Sequence, residues 1–226
     1  MSEAIITASG VNRIFPVVGT EGFQALKDVS LTIPKGTLTI LKGPSGSGKT
    51  TLMNILSALD EPTSGIVTLD GDTISEYRAS KRDKIRKIKC GFVFQSVSLI
   101  PMMSAYENVE FSWILAGNKK NGKDRIEECL SLVGLEKRMS HMPQEMSGGE
   151  QQRVAIARAI VHRPKIIFAD EPTAELDSST GIAMVSLFKN LAEKEGITVV
   201  MTTHDPGLMG AADVLFELKD GELIHE

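Results

Sequence analysis

At 226 residues the chain has room for one domain, or a core lobe with a smaller one beside it, and enough length to bury a sizeable core. Its 42% hydrophobic and 24% charged residues suit a soluble globular protein, and a formal net charge of −4 gives no support for nucleic acid as the main ligand. No apolar stretch approaches the 18 or so residues that span a bilayer, and the start at Met1 lacks a basic region ahead of an apolar core. Cys90 and Cys129, the only cysteines, show no metal or redox spacing, as expected of lone thiols in a reducing cytosol.

Taken in chain order, apolar runs predict strands at 5–8, 26–33 and 38–41. The third run leads into Gly43-Pro44-Ser45-Gly46-Ser47-Gly48-Lys49-Thr50, which matches G-x-x-x-x-G-K-[ST]. Glycines there let successive backbone N–H groups turn inward on an anion, and the helix predicted at 50–58 adds its positive dipole end. Lys49 would reach the β- and γ-phosphates of a nucleotide, with the Thr50 hydroxyl on Mg²⁺. A strand at 66–69 follows. Turn signals at Pro34-Lys35-Gly36 and Asp70-Gly71 suggest hairpin-like strands and an antiparallel β piece in the first third.

A helix at 80–88 carries the basic run Lys81-Arg82-Asp83-Lys84-Ile85-Arg86-Lys87-Ile88-Lys89, which reads as a solvated face in preference to a membrane-binding one. After a strand at 91–94 no convincing strand appears between about 97 and 160. Helical periodicity at 105–115, 123–133 and 148–161 marks that block as a helical insertion. Trp113 and the pair Met102-Met103 within it suit either core packing or a groove for a partner helix.

Ser147-Gly148-Gly149-Glu150 opens the last of these helices. Ser147 and Glu150 have capping-box spacing. The glycine pair is not needed for capping and weakens a first turn, which favours close approach of a ligand to a second anion site. The two readings are compatible. Lys165 to Phe168 then lead through Ala169 to Asp170-Glu171: an apolar strand, predicted at 166–169, ending in two carboxylates at the edge where open parallel sheets bind ligands. Asp170 is placed to hold Mg²⁺ through its water shell, and Glu171 to polarise the water that attacks the γ-phosphate. A helix at 179–194 and strands at 198–201 and 214–218 complete the alternation. The pattern argues for an α/β domain with a largely parallel central sheet.

The order and spacing of the phosphate loop, Gln95, Ser147-Gly148-Gly149-x-Gln151, Asp170-Glu171, Leu176-Asp177 and His204 resemble the ATP-binding cassette (ABC) ATPase family over nearly the whole chain. The resemblance implies an α/β fold: a phosphate-loop (RecA-like) nucleotide-binding core with an antiparallel β subdomain and a helical subdomain. It implies one ABC ATP-binding domain over 1–226, with the helical subdomain inserted at about 97–160. ATP and Mg²⁺ are the expected cofactors. Gly43 to Thr51 (Gly43, Pro44, Ser45, Gly46, Ser47, Gly48, Lys49, Thr50, Thr51) would hold ATP, and Thr50, Gln95 and Asp170 the metal. Phe15 falls where the family places a ring on adenine, or is a core phenylalanine. Glu171, His204 and Gln95 would be catalytic. Ser147, Gly148 and Gly149 would close on the γ-phosphate bound by the other subunit, and Asp177 would communicate between sites.

Two positions depart from the family pattern. Glu150 stands where glutamine is common, and is expected to turn into the capping box, away from phosphate. Ala174 replaces a usual glycine, which narrows the accessible backbone angles. Leu59-Asp60 with Pro62-Thr63-Ser64-Gly65, and Ala169 to Thr173, are similar to the macrolide-export, lipoprotein-release, antimicrobial-peptide-resistance and cell-division group. That implies a head-to-tail homodimer around two Mg-ATP, driving a separately encoded transmembrane permease of export or mechanotransmission type. An importer subunit is the alternative; a soluble ABC ATPase acting on DNA or ribosomes would need insertions this chain lacks. The expected location is cytoplasmic, peripheral on the inner face of the plasma membrane, with membrane contact only through the permease.

Overall fold

The chain folds into two sheets that meet at one edge and a block of helices against the larger sheet. The computed structural model describes residues 3–19, 21–118 and 122–225, so Met1 and Ser2 of the start considered above lie outside the described residues. Ten strands and six α-helices follow in the order β1 (Ala4–Phe15), β2 (Phe23–Pro34), β3 (Leu38–Lys42), α1 (Lys49–Leu56), β4 (Ser64–Leu69), β5 (Asp72–Thr73), α2 (Ala79–Lys89), β6 (Cys90–Val93), α3 (Ala105–Leu115), α4 (Lys123–Leu132), α5 (Gly148–Ile160), β7 (Ile166–Asp170), α6 (Ser178–Glu195), β8 (Thr198–Thr203), β9 (Val214–Lys219) and β10 (Glu222–His225).

The larger sheet has the order β10-β9-β3-β8-β7-β6, parallel throughout except for the antiparallel edge strand β10. Its central strands are buried on both faces, which is why they read as unbroken apolar runs. Alternate residues part to two cores. Leu38, Ile40, Ile167 and Val199 face α3, α4, α5 and α6. Leu41, Ile166, Phe168 and Val200 face α1 and the smaller sheet. The helices at 105–160 thus share one core with the sheet, and no strand occurs among the described residues between Val93 and Ile166.

The smaller sheet, β2-β1-β4-β5, is antiparallel throughout, as the turn signals implied. Asp70-Gly71 closes the β4–β5 hairpin with φ of 47° and 82°, the doubly left-handed pair of a tight hairpin turn. Pro34-Lys35-Gly36 does something else: it hands the chain from β2 in one sheet to β3 in the other. Strands β1 and β2 are 12 residues each, longer than the predicted 5–8 and 26–33. Register shifts around Gly10 (φ 60°) let the pairing continue through a stretch that does not alternate.

The basic helix α2 buries none of its residues, and its charges find local partners. Arg82 pairs with Glu61, Arg86 with Asp83, and Lys89 with Asp70 and Asp72 at 2.8 and 2.9 Å. The Lys81 ammonium lies 3.4 Å from the centroid of the Tyr77 ring. Both cysteines are free and buried, and burial pushes each thiol up to about 12.

Candidate functional site

Strand β3 delivers the phosphate loop to the carboxyl edge of the larger sheet, and the loop is shaped by its glycines. Gly43, Gly46 and Gly48 have φ of 148°, 78° and 102°, a region side-chain-bearing residues rarely adopt. A Cβ on Gly43 would lie 2.2 Å from the Leu218 carbonyl oxygen, and one on Gly48 2.8 Å from that of Ala25. Within the loop Ser47 is buried, and its hydroxyl has no hydrogen-bond partner. Lys49 is buried too, its ammonium donating to the carbonyls of Gly43 and Pro44 at 2.8 and 3.0 Å. A loop that leaves a buried hydroxyl unpaired and curls a lysine over its own carbonyls fits a bound anion.

Strands β7 and β8 bring the rest of the chemistry beside it. Asp170 is register partner to Thr202 on β8, whose hydroxyl donates to Asp170 Oδ1 at 2.6 Å and accepts from the Glu171 N–H at 2.9 Å. Thr50 donates to the same carboxylate at 3.2 and 3.3 Å. These hard oxygen donors suit Mg²⁺, which takes one or two protein ligands beside phosphate oxygens and water. Among the described residues no group of three or more His, Cys, Asp or Glu is placed to hold a metal.

Glu171 has φ 47°, left-handed backbone in a non-glycine residue and directly before Pro172. That conformation costs on the order of 1–3 kcal/mol and aims the carboxylate into the cleft. Its Oε2 lies 2.7 Å from His204 Nδ1, its Oε1 3.9 Å from Lys49 Nζ. Pro44 to Thr51, Gln95, Glu171 and His204 line one cleft of about 730 Å³, with Phe23, Ala25 and Ala174. Ala174 does not take a positive φ, so the missing glycine distorts nothing.

Ser147, Gly148, Gly149 and Asp177 sit elsewhere, lining a separate depression of about 450 Å³ that shares no residue with the cleft. The capping box at the start of α5 is formed: Glu150 N donates to Ser147 Oγ at 3.3 Å and Ser147 N to Glu150 Oε2 at 2.8 Å. The second Glu150 oxygen takes Arg138 at 2.9 Å, so the carboxylate turns inward as expected. The Ser147 N–H, then its hydroxyl and Arg138, hold the Glu150 carboxyl below the usual range. Asp177 caps α6, and hydrogen bonds from the Ser179 and Thr180 side chains and backbone hold it far below that range. Phe15, at the end of β1, is half-buried under the Arg13 guanidinium, 4.5 Å from its ring centroid, and is not among the residues lining the cleft.

The family described as "ABC transporter" matches residues 26–174. The chain belongs to the ABC transporter family. It is 44% identical, over 97% of its length and 95% of the relative's, to the ABC transporter ATP-binding protein YknY of Bacillus subtilis. It is also 44% identical to the macrolide export ATP-binding/permease protein MacB of Syntrophobacter fumaroxidans, over 92% of this chain but only 30% of that longer protein. Among solved structures, the ATP-binding cassette MJ0796 of Methanocaldococcus jannaschii, a dimer in a post-hydrolysis state bound to ADP and Pi, superposes with a TM-score of 0.87 at 42% identity over 97% of both chains. The fold is the RecA-like nucleotide-binding fold, with a mixed β-sheet core and a helical subdomain.

Two residues of the ABC family member's cleft escape a reading by motif. Thr202 is fully buried and ties Asp170 to the Glu171 backbone; its only signal is polarity just after the apolar middle, Val199 to Met201, of β8. Phe23 is 60% exposed at the start of β2, directly across from Phe15. An exposed phenylalanine at a strand edge gives no sequence signal of its own.

Proposed function

We propose that this ABC family member hydrolyses ATP in the cleft between the phosphate loop and the ends of β7 and β8, and that the hydrolysis drives a membrane permease. The observation that carries the reading is the convergence of Lys49, Thr50, Asp170, Glu171, Gln95 and His204 on one cleft from four separate chain segments. Loop N–H groups and Lys49 hold the triphosphate and offset the charge that develops on it. Thr50, Asp170 and Gln95 would hold Mg²⁺, which supplies charge neutralisation at the phosphate oxygens. Glu171 orients and polarises the attacking water. His204, in contact with Glu171, is within the same cleft to hydrogen-bond the γ-phosphate. The nucleoside end extends towards the β1–β2 ribbon that carries Phe15 and Phe23.

Two copies would pair head to tail, each presenting Ser147, Gly148 and Gly149 to the nucleotide of the other. The dimer of the related M. jannaschii cassette supports that arrangement. A separately encoded permease is the partner this reading calls for; in the MacB proteins of S. fumaroxidans and of a Shewanella species, ATP-binding and permease activities are named for one longer protein, of which this chain spans 30% and 35%. Among the described residues no helix is long and apolar enough to cross a membrane, in keeping with cytoplasmic attachment through that partner. We infer an export or mechanotransmission role, with an importer subunit as the alternative; the likeness to proteins named for macrolide export supports the export reading.

Free phosphate released from ATP, without a phosphorylated acceptor, is the expected product. Glu171→Gln should keep ATP affinity and lose turnover by about 100-fold or more, the usual consequence of removing a general base. Near-normal turnover in that variant would overturn the assignment. Affinity capture from detergent-solubilised membranes should bring down the permease.

A further inference from the structure

The depression at the start of α5, which would receive the nucleotide of a second copy, carries an electrostatic problem. Its wall includes three carboxylates, Glu150, Glu175 and Asp177, against a single guanidinium, that of Arg153. Arg153 is itself turned towards α4, donating to the Val133 carbonyl at 3.1 Å. A γ-phosphate brought to such a wall meets like charge, which the N–H groups that open α5 have to outweigh. Asp177 is spent within its own chain. One of its oxygens accepts from the Ser179 and Thr180 N–H groups and the Ser179 hydroxyl, the other from the Thr180 hydroxyl. Glu150 follows directly on Gly149, in the first turn whose N–H groups the phosphate would use.

Arg138, in the segment between α4 and α5, pairs with that carboxylate without lining the depression. Its Nε donates to Glu150 Oε1 at 2.9 Å, and its Nη1 lies 3.1 Å from His141 Nε2. A guanidinium offers no acceptor, so it is the ring nitrogen that accepts. The other Glu150 oxygen takes the Ser147 N–H and hydroxyl. The carboxylate is thus held between Ser147 and Arg138, and the guanidinium between Glu150 and His141. Glutamine can fill the same capping box without bringing a charge, so Arg138 meets a need that only a glutamate creates. We propose that Arg138 is a positioning residue for the site formed with a second copy: it holds the Glu150 carboxylate in the α5 cap and offsets its charge, so that the first turn of α5 can accept a γ-phosphate. The proposal rests on the head-to-tail reading above and deepens it. The Ser147 face takes an anion only while Glu150 is paired, and Arg138 acts through Glu150 alone.

The test is a cycle of four proteins: the unaltered chain, Arg138→Ala, Glu150→Gln and the two changes together. Each is assayed for phosphate release from Mg-ATP and for affinity for Mg-ADP, which fills the cleft but has no γ-phosphate to present. Arg138→Ala alone lowers turnover about fivefold, the scale of a partly exposed ion pair, and shifts ADP affinity less than about twofold. With Glu150→Gln already in place, Arg138→Ala costs less than about twofold in turnover, because the charge it compensated is gone. Added salt narrows the gap between Arg138→Ala and the unaltered chain, since it screens an exposed charge. Arg138→Lys, which keeps a cation but loses the planar fork, falls between the two. Equal losses from Arg138→Ala with and without Glu150→Gln mean that Arg138 serves only the fold, and overturn the proposal. Undiminished turnover in Arg138→Ala overturns it as well. So does an inactive Glu150→Gln chain, because the proposal gives that carboxylate no task at the phosphate. Should Arg138→Ala not fold, Arg138→Lys carries the same comparison with and without Glu150→Gln. Ser147→Arg separates this proposal from the reading beneath it. Full turnover there refutes the head-to-tail site itself, whereas lost turnover there beside full turnover in Arg138→Ala refutes only the role of Arg138.

Discussion

Glu150 is one of the two departures from the family pattern noted above, and its surroundings explain how a carboxylate is kept there. Both of its oxygens are engaged, one by the Ser147 N–H and hydroxyl and the other by Arg138. Those contacts favour the charged form, so the folded-state pKa lies below the ordinary value of 4.5. The stabilisation is fully present above that value and is lost as pH falls through the lowered one. Glu150→Gln should therefore lower Tm at neutral pH, where the charged contacts are present, and approach the unaltered protein as pH falls through the lowered value, which flattens the acid limb; superimposable curves over the whole range would show that the carboxylate contributes nothing measurable. The places of Lys49 and Asp170 were legible because the chemistry of phosphate dictates residue type and spacing there, and that of His204 through the family resemblance. Thr202 was not, since its role depends on the β7–β8 register that sets it opposite Asp170. Nor was Phe23, whose place in the cleft depends on how two sheets meet.

Helices were the most readable elements, each falling within one or two residues of its periodic pattern, because their caps and apolar stripes are local. The strands of the smaller sheet and the edge strand β10 of the larger were harder: β1 runs on to Phe15 through bulges, and β5 and β10 are short pieces pinned by Asp-Gly turns. The turn at 70–71 was recognised and its twin at 220–221 was not, though the dipeptide is the same. Helix α5 shows how an element can serve fold and ligand together. A Cβ on Gly149 would come within 2.7 Å of the Thr180 methyl, so the close approach of α6 accounts for that glycine. Gly148 has no atom within 4 Å of its missing Cβ and no positive φ. Nothing in the single chain requires it. Gly148→Ala should leave Tm unchanged or raise it, by some part of the roughly 1 kcal/mol that separates the two residues in a helix, and should lower ATP-driven turnover at least tenfold. A fall in Tm would mean that the glycine serves the fold, and unimpaired turnover would mean that the space above it is not used.

At the scale of the whole molecule, the separation of two depressions is the observation that most needs a second chain. The cleft gathers Lys49, Thr50, Glu171 and His204, proposed above to hold phosphate and metal and to polarise water, while the depression at Ser147, Gly148, Gly149 and Asp177 offers a helix N-terminus and no lysine among its lining residues. A helix N-terminus of that kind attracts anions but cannot bind a triphosphate tightly alone. Facing a second copy, it would meet the γ-phosphate already held by the other chain's Lys49, so that nucleotide bound between two surfaces stabilises the closed pair and its loss releases them. Ser147→Arg places bulk and positive charge at that contact, and each subunit should still bind ATP while turnover falls at least tenfold. Lys49→Ala should be inactive for a different reason, the loss of a charge-assisted phosphate contact. Mixed in equal amounts under conditions that exchange subunits, the two variants form some dimers in which the intact Lys49 of one chain meets the intact Ser147 of the other. Phosphate release should then rise above that of either variant alone, by an amount set by the fraction of mixed dimers and by coupling between the sites. Full activity of Ser147→Arg by itself would show that each cleft works alone, and the depression would need another explanation.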